Sequence, residues 1–371
     1  MTRSLPLDWT AALSPWLRGL AWTAVALTIV LITVGGLVTN TDSGLACPDW
    51  PTCFGTPFPK LVGGVLMEHG HRYLATALGF LTVLLVIGTH LRQPRTMIPS
   101  LLLASPLILG GAFWAGYAKH HSGQIPSAAG LIVLAGFLIA IFSIFRARGA
   151  ARHAEAALLL VIAQGLLGGL TVMYQLPVTV LIAHLATSML FLGVLIWLAV
   201  RLDPPSLEIG FHDERAGLLL GLTTLAIYLQ IVLGASVRHT GAGLVCTDWL
   251  CKGALWPTNV HPAVHLHMTH RAFAMVVGVF ASYVGLRLRK TALHANDRRS
   301  ALLGAALPIL VITQISLGIA TIWTLKEIWA VTAHLFVGAL LLSCSALLWA
   351  RQATRLPKHV LAPMSEPGVY A

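Results

Sequence analysis

The chain has 371 residues, 57% of them hydrophobic and only 10% charged. That balance excludes an ordinary soluble domain. A net charge of +11 would suit a nucleic-acid binder, but the basic residues sit in clusters between apolar runs, which is the mark of membrane topology and argues against nucleic acid as a partner.

A helix needs roughly 20 mostly apolar residues to span a bilayer. Ten such runs follow one another, near residues 18–39, 70–91, 97–117, 127–145, 155–174, 178–200, 216–237, 268–288, 301–323 and 329–350. The first is not a cleaved signal peptide, because its repeat partner at 216–237 is internal. Arginine and lysine gather at alternate loops: Arg3 and Arg18, Arg92 and Arg95, Arg146 to Arg152, Arg201 and Arg215, Arg287 to Arg299, then Arg351, Arg355 and Lys358. The positive-inside pattern puts both termini in the cytoplasm and the cysteine-bearing loops outside. The short amino terminus contains Asp8 and no Arg/Ser-rich amphipathic segment, which favours a bacterial inner membrane over a mitochondrial one.

The chain reads as a duplication. Val38, Thr41, Gly44, Leu45, Cys47, Asp49, Trp50 and His71 recur 199 positions later as Val237, Thr240, Gly243, Leu244, Cys246, Asp248, Trp249 and His270. Gln164, Gly168, Thr171, His184 and Leu185 recur 150 positions later as Gln314, Gly318, Thr321, His334 and Leu335. The 49-residue difference between those offsets implies two extra spans in the first copy, at about 95–150. The expected fold is an all-α polytopic membrane protein: two parallel-oriented four-helix repeats, with two extra helices inserted in the first. The expected divisions are 1–200, a cytoplasmic linker at 201–215 with Pro204 and Pro205, a second repeat at 216–355, and a tail at 356–371.

A histidine inside a span is costly and normally faces the bundle interior with a partner. His71 and His184, then His270 and His334, fall at similar depths in the two copies. Facing imidazoles in a helical bundle hold haem iron. For a single such histidine a hydrogen bond to neighbouring backbone is the plainer account. Duplicated pairs argue for ligation. Glu68 lies three residues before His71, on one helix face, and His267 replaces it in the second copy. The acid therefore marks a reactive site in one half, or else it pairs with Arg72 or His69. Arg72 and Arg271 follow the histidines and stand either to meet haem carboxylates or to anchor the helix at the interface.

Cys47-x5-Cys53 and Cys246-x4-Cys251 lie in outward loops, where thiols oxidise, and their spacing allows a disulfide within each loop. Such a bond is either a structural clip or a redox-active pair. Cys344, alone in the last span, reads as a packing residue. His120, His121, His261 and His265 read as solvated or interfacial.

The duplicated unit, the Glu68-x-x-His71-Arg72 and His270-Arg271 motifs, and the sequence Gly44-Leu45-Ala46-Cys47-Pro48-Asp49-Trp50 resemble the haem A synthase family. The resemblance covers residues 20 to 352 apart from the insert, which shorter members lack. It implies an enzyme, a membrane oxidoreductase that converts the C8 methyl of haem O to the formyl group of haem A for terminal cytochrome oxidases. It also implies a haem B cofactor on His270 and His334, and substrate on His71 and His184, with Glu68 beside the reacting methyl. Two hydroxylations and loss of water would give the aldehyde, with Glu68 taking a proton or stabilising a cation. Expected partners are haem O, membrane lipid, haem O synthase, cytochrome oxidase assembly factors and an electron partner of unknown identity, with homo-oligomerisation left open. The competing readings are a dihaem b-type electron-transfer protein linked to quinol, and a transporter of haem or metal.

Overall fold

A computed structural model of the chain describes residues 9–92, 100–122, 124, 126–203, 214–251, 253–258 and 260–354. Asp8, Arg3, Arg95, Pro204, Pro205, Arg355, Lys358 and the expected tail lie outside the described residues.

The described chain forms ten α-helices: α1 (Trp9–Asn40), α2 (Gly63–Leu91), α3 (Ser100–Ser122), α4 (Ser127–Arg146), α5 (Gly149–Met173), α6 (Val178–Leu202), α7 (Glu214–His239), α8 (Pro262–His294), α9 (Arg298–Trp323) and α10 (Ile328–Ala353). Among the described residues the only β pairing is an isolated bridge in each disulfide loop, Cys53 with Thr56 and Cys251 with Ala254. Nine helices are long and apolar enough to cross a membrane, and α3 adds a shorter apolar stretch, Ala104–Gly116. The chain is an all-α, multi-pass membrane protein. Helices are the natural outcome, because a segment in hydrocarbon must satisfy its backbone polar groups internally.

The helices pack as two closed rings side by side. In the first, α1 lies against α2 and α6, α2 against α5, and α5 against α6; in the second, α7, α8, α9 and α10 each pack on the next and α10 returns to α7. The rings meet where α1 and α6 lean on α10 and α6 leans on α7. The α3–α4 hairpin stands outside the first ring and leans on α5.

The two rings share local devices as well as order. The α5–α6 turn carries left-handed Gln175 and Leu176, and the α9–α10 turn carries left-handed Leu325 and Lys326, each pair 150 positions apart. In both turns the second of these residues donates its N–H back to a helical threonine carbonyl, Leu176 to Thr171 at 2.7 Å and Lys326 to Thr321 at 2.8 Å. These are the back-bonds that close helix C-termini.

One polar contact belongs to the first ring alone. His90 near the end of α2 and Glu155 near the start of α5 meet at 2.9 Å, with Glu155 buried and His90 partly so, and His90 Nδ1 lies 2.9 Å from the Val86 carbonyl. The pair joins α2 to α5 across the point where the hairpin leaves and returns.

Candidate functional site

A cavity of about 1230 Å³ opens between the rings and is lined by residues of α1, α2, α3 and α5 to α10. It exceeds the roughly 300–1,000 Å³ of an ordinary small-molecule site. His71, His184, His270 and His334 all line it. His71 and His270 each sit eight residues after the first residue of their helices, Gly63 and Pro262. His184 and His334 each sit six residues after theirs, Val178 and Ile328. His71 and His184 lie within electrostatic reach of each other, as do His270 and His334.

Each ring rests on a glycine of the neighbouring helix. A Cβ added at Gly35 of α1 would lie 3.0 Å from Cε1 of His71, and one at Gly234 of α7 would lie 2.8 Å from Cε1 of His270. At Gly168 of α5 and Gly318 of α9 the distances to Cε1 of His184 and His334 are 3.4 and 3.2 Å. Glycine lets the Cε1 edge of each imidazole come up against the adjacent helix.

Three glutamines surround the rings. Gln164 donates to the His184 carbonyl at 2.9 Å. Gln230 contacts Nδ1 of His270 at 2.9 Å and its carbonyl at 3.0 Å. The Gln314 amide nitrogen lies 3.3 Å from Nε2 of His334, and the Gln314 carbonyl lies 3.1 Å from Nδ1 of the same ring. Nδ1 of His71 and Nδ1 of His184 are buried without a partner.

Glu68 is buried and lines the cavity, but both oxygens are engaged. Oε1 accepts from Arg72 at 2.5 Å and Oε2 accepts from the Cys47 N–H at 2.7 Å. The Arg72 pairing offered by the sequence is thus present, and the carboxylate also fastens the disulfide loop to α2. Arg72 and Arg271 both line the cavity with guanidinium groups committed to that loop. Arg72 donates to the carbonyls of Asp49 and Thr52 at 2.9 and 2.7 Å. Arg271 donates to the carbonyls of Asp248 and Cys246 at 2.8 and 2.5 Å, and to His267 at 3.2 Å. Both guanidinium groups thus clamp the loops.

The structure joins Cys47 to Cys53 and Cys246 to Cys251. All four sulfur residues are buried, which shields them from an external dithiol and favours the clip. His69, also buried, places Nδ1 3.9 Å from Cys47 Sγ and contacts the Pro57 carbonyl at 3.0 Å. The loop then folds Trp50 against α5, where a Cβ at Gly169 would lie 2.8 Å from the indole. Asp49 shapes it by accepting from the Thr52 hydroxyl and from the N–H groups of Phe54 and Gly55, at 2.6 and 3.0 Å for the last two. Burial alone would push the Asp49 carboxyl up, but those bonds and the nearby Arg72 charge together hold it below the ordinary 3.8.

Of the remaining histidines, His261 caps α8 by accepting from Ala263 N–H at 3.2 Å. His265 lies against Trp256, and His120 and His121 fall within α3. Cys344 is a free, buried thiol. Sequence reasoning missed Gly35, Gly234, Gln230 and Arg238. Arg238 lines the cavity and donates to Asn40 at 2.6 Å, while Asn40 donates to Thr332 at 3.0 Å, so this cation sits where the two rings meet.

Comparison with known proteins gives this cavity a family. Residues 18–62 and 111–346 match the COX15-CtaA family, described as cytochrome oxidase assembly protein. The chain belongs to that family. It is 30% identical over 368 residues to the heme A synthase of Novosphingobium aromaticivorans, covering 90% of this chain and 93% of the relative. It is 25% identical over 367 residues to the heme A synthase of Erythrobacter litoralis, covering 92% and 97%. The heme A synthase of Lysinibacillus sphaericus is 27% identical over 280 residues, 72% of this chain and 74% of its own length. The matched family segments include His184, His270 and His334 and pass over 63–110, which carries Glu68, His71 and Arg72. Those three residues therefore rest on the geometry above and on the repeat.

Proposed function

We propose that this protein is a haem A synthase, a membrane oxidoreductase that converts the C8 methyl of haem O to a formyl group. The observation that carries the reading is the pairing of four cavity histidines, each bared by a glycine, in two rings of helices. The donor set fits haem: four imidazoles line one cavity in two pairs, and the amide nitrogen 3.3 Å from Nε2 of His334 marks a lone pair on that atom. His270 and His334 hold the resident haem B, which supplies electron transfer. His71 and His184 orient haem O. Arg238, and the N–H groups that Arg72 and Arg271 have left, meet carboxylates at the cavity mouth.

Methyl oxidation releases protons and builds positive charge at carbon. Glu68, at the cavity wall, accepts a proton or stabilises that charge, and Arg72 and the Cys47 N–H fix its position. The loop clipped by Cys47–Cys53 brings Trp50 over the cavity and excludes water. The protein sits in a bacterial plasma membrane with cytoplasmic termini and outward disulfide loops. It works beside haem O synthase, cytochrome oxidase assembly factors and an electron partner.

The test is haem extraction and chromatography from a host that makes haem O and no haem A, with and without this chain. Haem A appears only with the chain. Glu68→Gln retains bound haem and loses at least tenfold in haem A yield. Haem B bound with haem O unconverted, and no effect of Glu68→Gln, would instead identify a dihaem electron carrier.

A further inference from the structure

The two histidine pairs differ in one respect that the sequence repeat conceals. In the second ring both Nδ1 atoms are held, His270 by the Gln230 side chain at 2.9 Å and His334 by the Gln314 carbonyl at 3.1 Å. In the first ring Nδ1 of His71 is buried without a partner, while His184 has the Gln164 backbone beside it as His334 has Gln314, so the pairs differ chiefly at His71 and His270. The residue 199 positions before Gln230 is Leu31, which also lines the cavity and offers no polar atom there. We propose that Gln230 is a positioning residue that makes the second ring the permanent haem site, and that its replacement by Leu31 leaves the first ring's haem exchangeable. The proposal rests on the reading that both pairs ligate haem.

The physical argument is one of tautomers. A neutral imidazole carries one N–H, and only the other nitrogen has a lone pair for iron. A ring that binds metal through Nε2 must keep its proton on Nδ1, and a hydrogen-bond acceptor at Nδ1 fixes both the tautomer and the ring plane. The Gln314 carbonyl is such an acceptor for His334. For His270 the structure sets the Gln230 amide nitrogen against Nδ1, where it also donates to the His270 carbonyl, and the oxygen becomes the acceptor when the amide is turned over. The amide's two ends occupy equivalent positions under a half-turn, and Gln230 Oε1 is otherwise buried without a partner. Turned towards Nδ1, it frees Nε2 for ligation. Turned away, it leaves the amide N–H against Nδ1 and the ring proton on Nε2. His71 has no such device, so nothing fixes which of its nitrogens carries the proton, which suits a ligand that must arrive as one haem and leave as another.

The experiment compares the purified full-length holoprotein with Gln230→Leu, which copies the first ring, and Gln230→Glu, which strengthens the acceptor. The readouts are the rate of haem transfer to apomyoglobin, haem per chain, and the midpoint potential of the haem B signal. Gln230→Leu loses haem B about 10- to 100-fold more readily and its midpoint rises, because an imidazole without an acceptor donates less charge to ferric iron. Gln230→Glu keeps its haem and its midpoint falls. Leu31→Gln slows haem loss from the first ring. Wild-type haem retention and an unshifted midpoint in both Gln230 variants would overturn the proposal. If Gln230→Leu fails to fold, the downward shift in Gln230→Glu still decides it. A wild-type chain that binds no haem would overturn the haem reading itself, and the proposal with it.

Discussion

At the scale of single residues, function depends on groups that are small or plain as much as on the histidines. The four glycines form a graded series. Alanine at Gly234 would place its Cβ 2.8 Å from His270, closer than real contacts allow, whereas alanine at Gly168 would meet His184 at an ordinary 3.4 Å. Gly234→Ala should therefore displace the ring and cost most of the haem, Gly35→Ala and Gly318→Ala should cost less, and Gly168→Ala little. Haem-to-protein ratio from the Soret absorbance orders the four. The histidines were legible because they are rare in apolar spans and recur at fixed offsets. Gly35 and Gly234 recur at the same offset of 199, yet they are one pair among 34 glycines, and glycine in membrane helices usually serves ordinary close packing. Gln230 was not legible at all, since a search for repeats discards the position where the copies differ. Arg72 and Arg271 were legible as important but open in role. Their carbonyl partners are 20 or more residues away in sequence, and nothing local encodes a loop's folded path.

The elements that position the site include the two disulfide loops, and their stability has a pH signature at Asp49. Its carboxyl is depressed below 3.8 by the Thr52, Phe54, Gly55 and Arg72 contacts, against the opposing effect of burial. A group with a lowered folded value adds stability above its unfolded value and loses it as pH falls through the folded one. The loop should thus hold its form from neutral pH down to about 4 and loosen below that, as protons reach Asp49. Asp49→Asn should show the loosening already at pH 7, measured as faster proteolytic cleavage near Phe54. An unchanged cleavage rate would place the loop's stability in the disulfide and the arginine clamp alone. Helix existence was plain from hydropathy, and the expected spans fall within the observed helices to a few residues. Their true ends were not. α8 runs from Pro262 to His294, well beyond the apolar 268–288, because a histidine cap and a basic stretch continue the helix outside the hydrocarbon.

Across the whole molecule, the inserted hairpin raises the question of whether it belongs to the fold or to the site. Two observations separate these. His90 and Glu155 touch at 2.9 Å, and Glu155 is six residues into α5 from Gly149, so α5 starts about 9 Å along its axis from that contact at 1.5 Å per helical residue. A short linker can span that gap. The hairpin itself packs on α5 and contributes Ser105 and Leu109 to the cavity wall. It follows that α1, α2, α5 and α6 close without it, held at this end by the buried pair. Breaking that pair with His90→Ala leaves Glu155 buried with no partner from α2, a change that typically costs about 3–5 kcal/mol. It should lower the thermal midpoint in detergent with the hairpin still present. Replacing residues 95–146 with a few flexible residues should spare it. The thermal midpoint and the His270–His334 haem should persist, while the first ring, now open to lipid on the α3 side, should release haem O faster and yield less haem A. Loss of both haems on deletion would show that the hairpin holds the rings together, and unchanged haem O retention would show that Ser105 and Leu109 are bystanders at the wall.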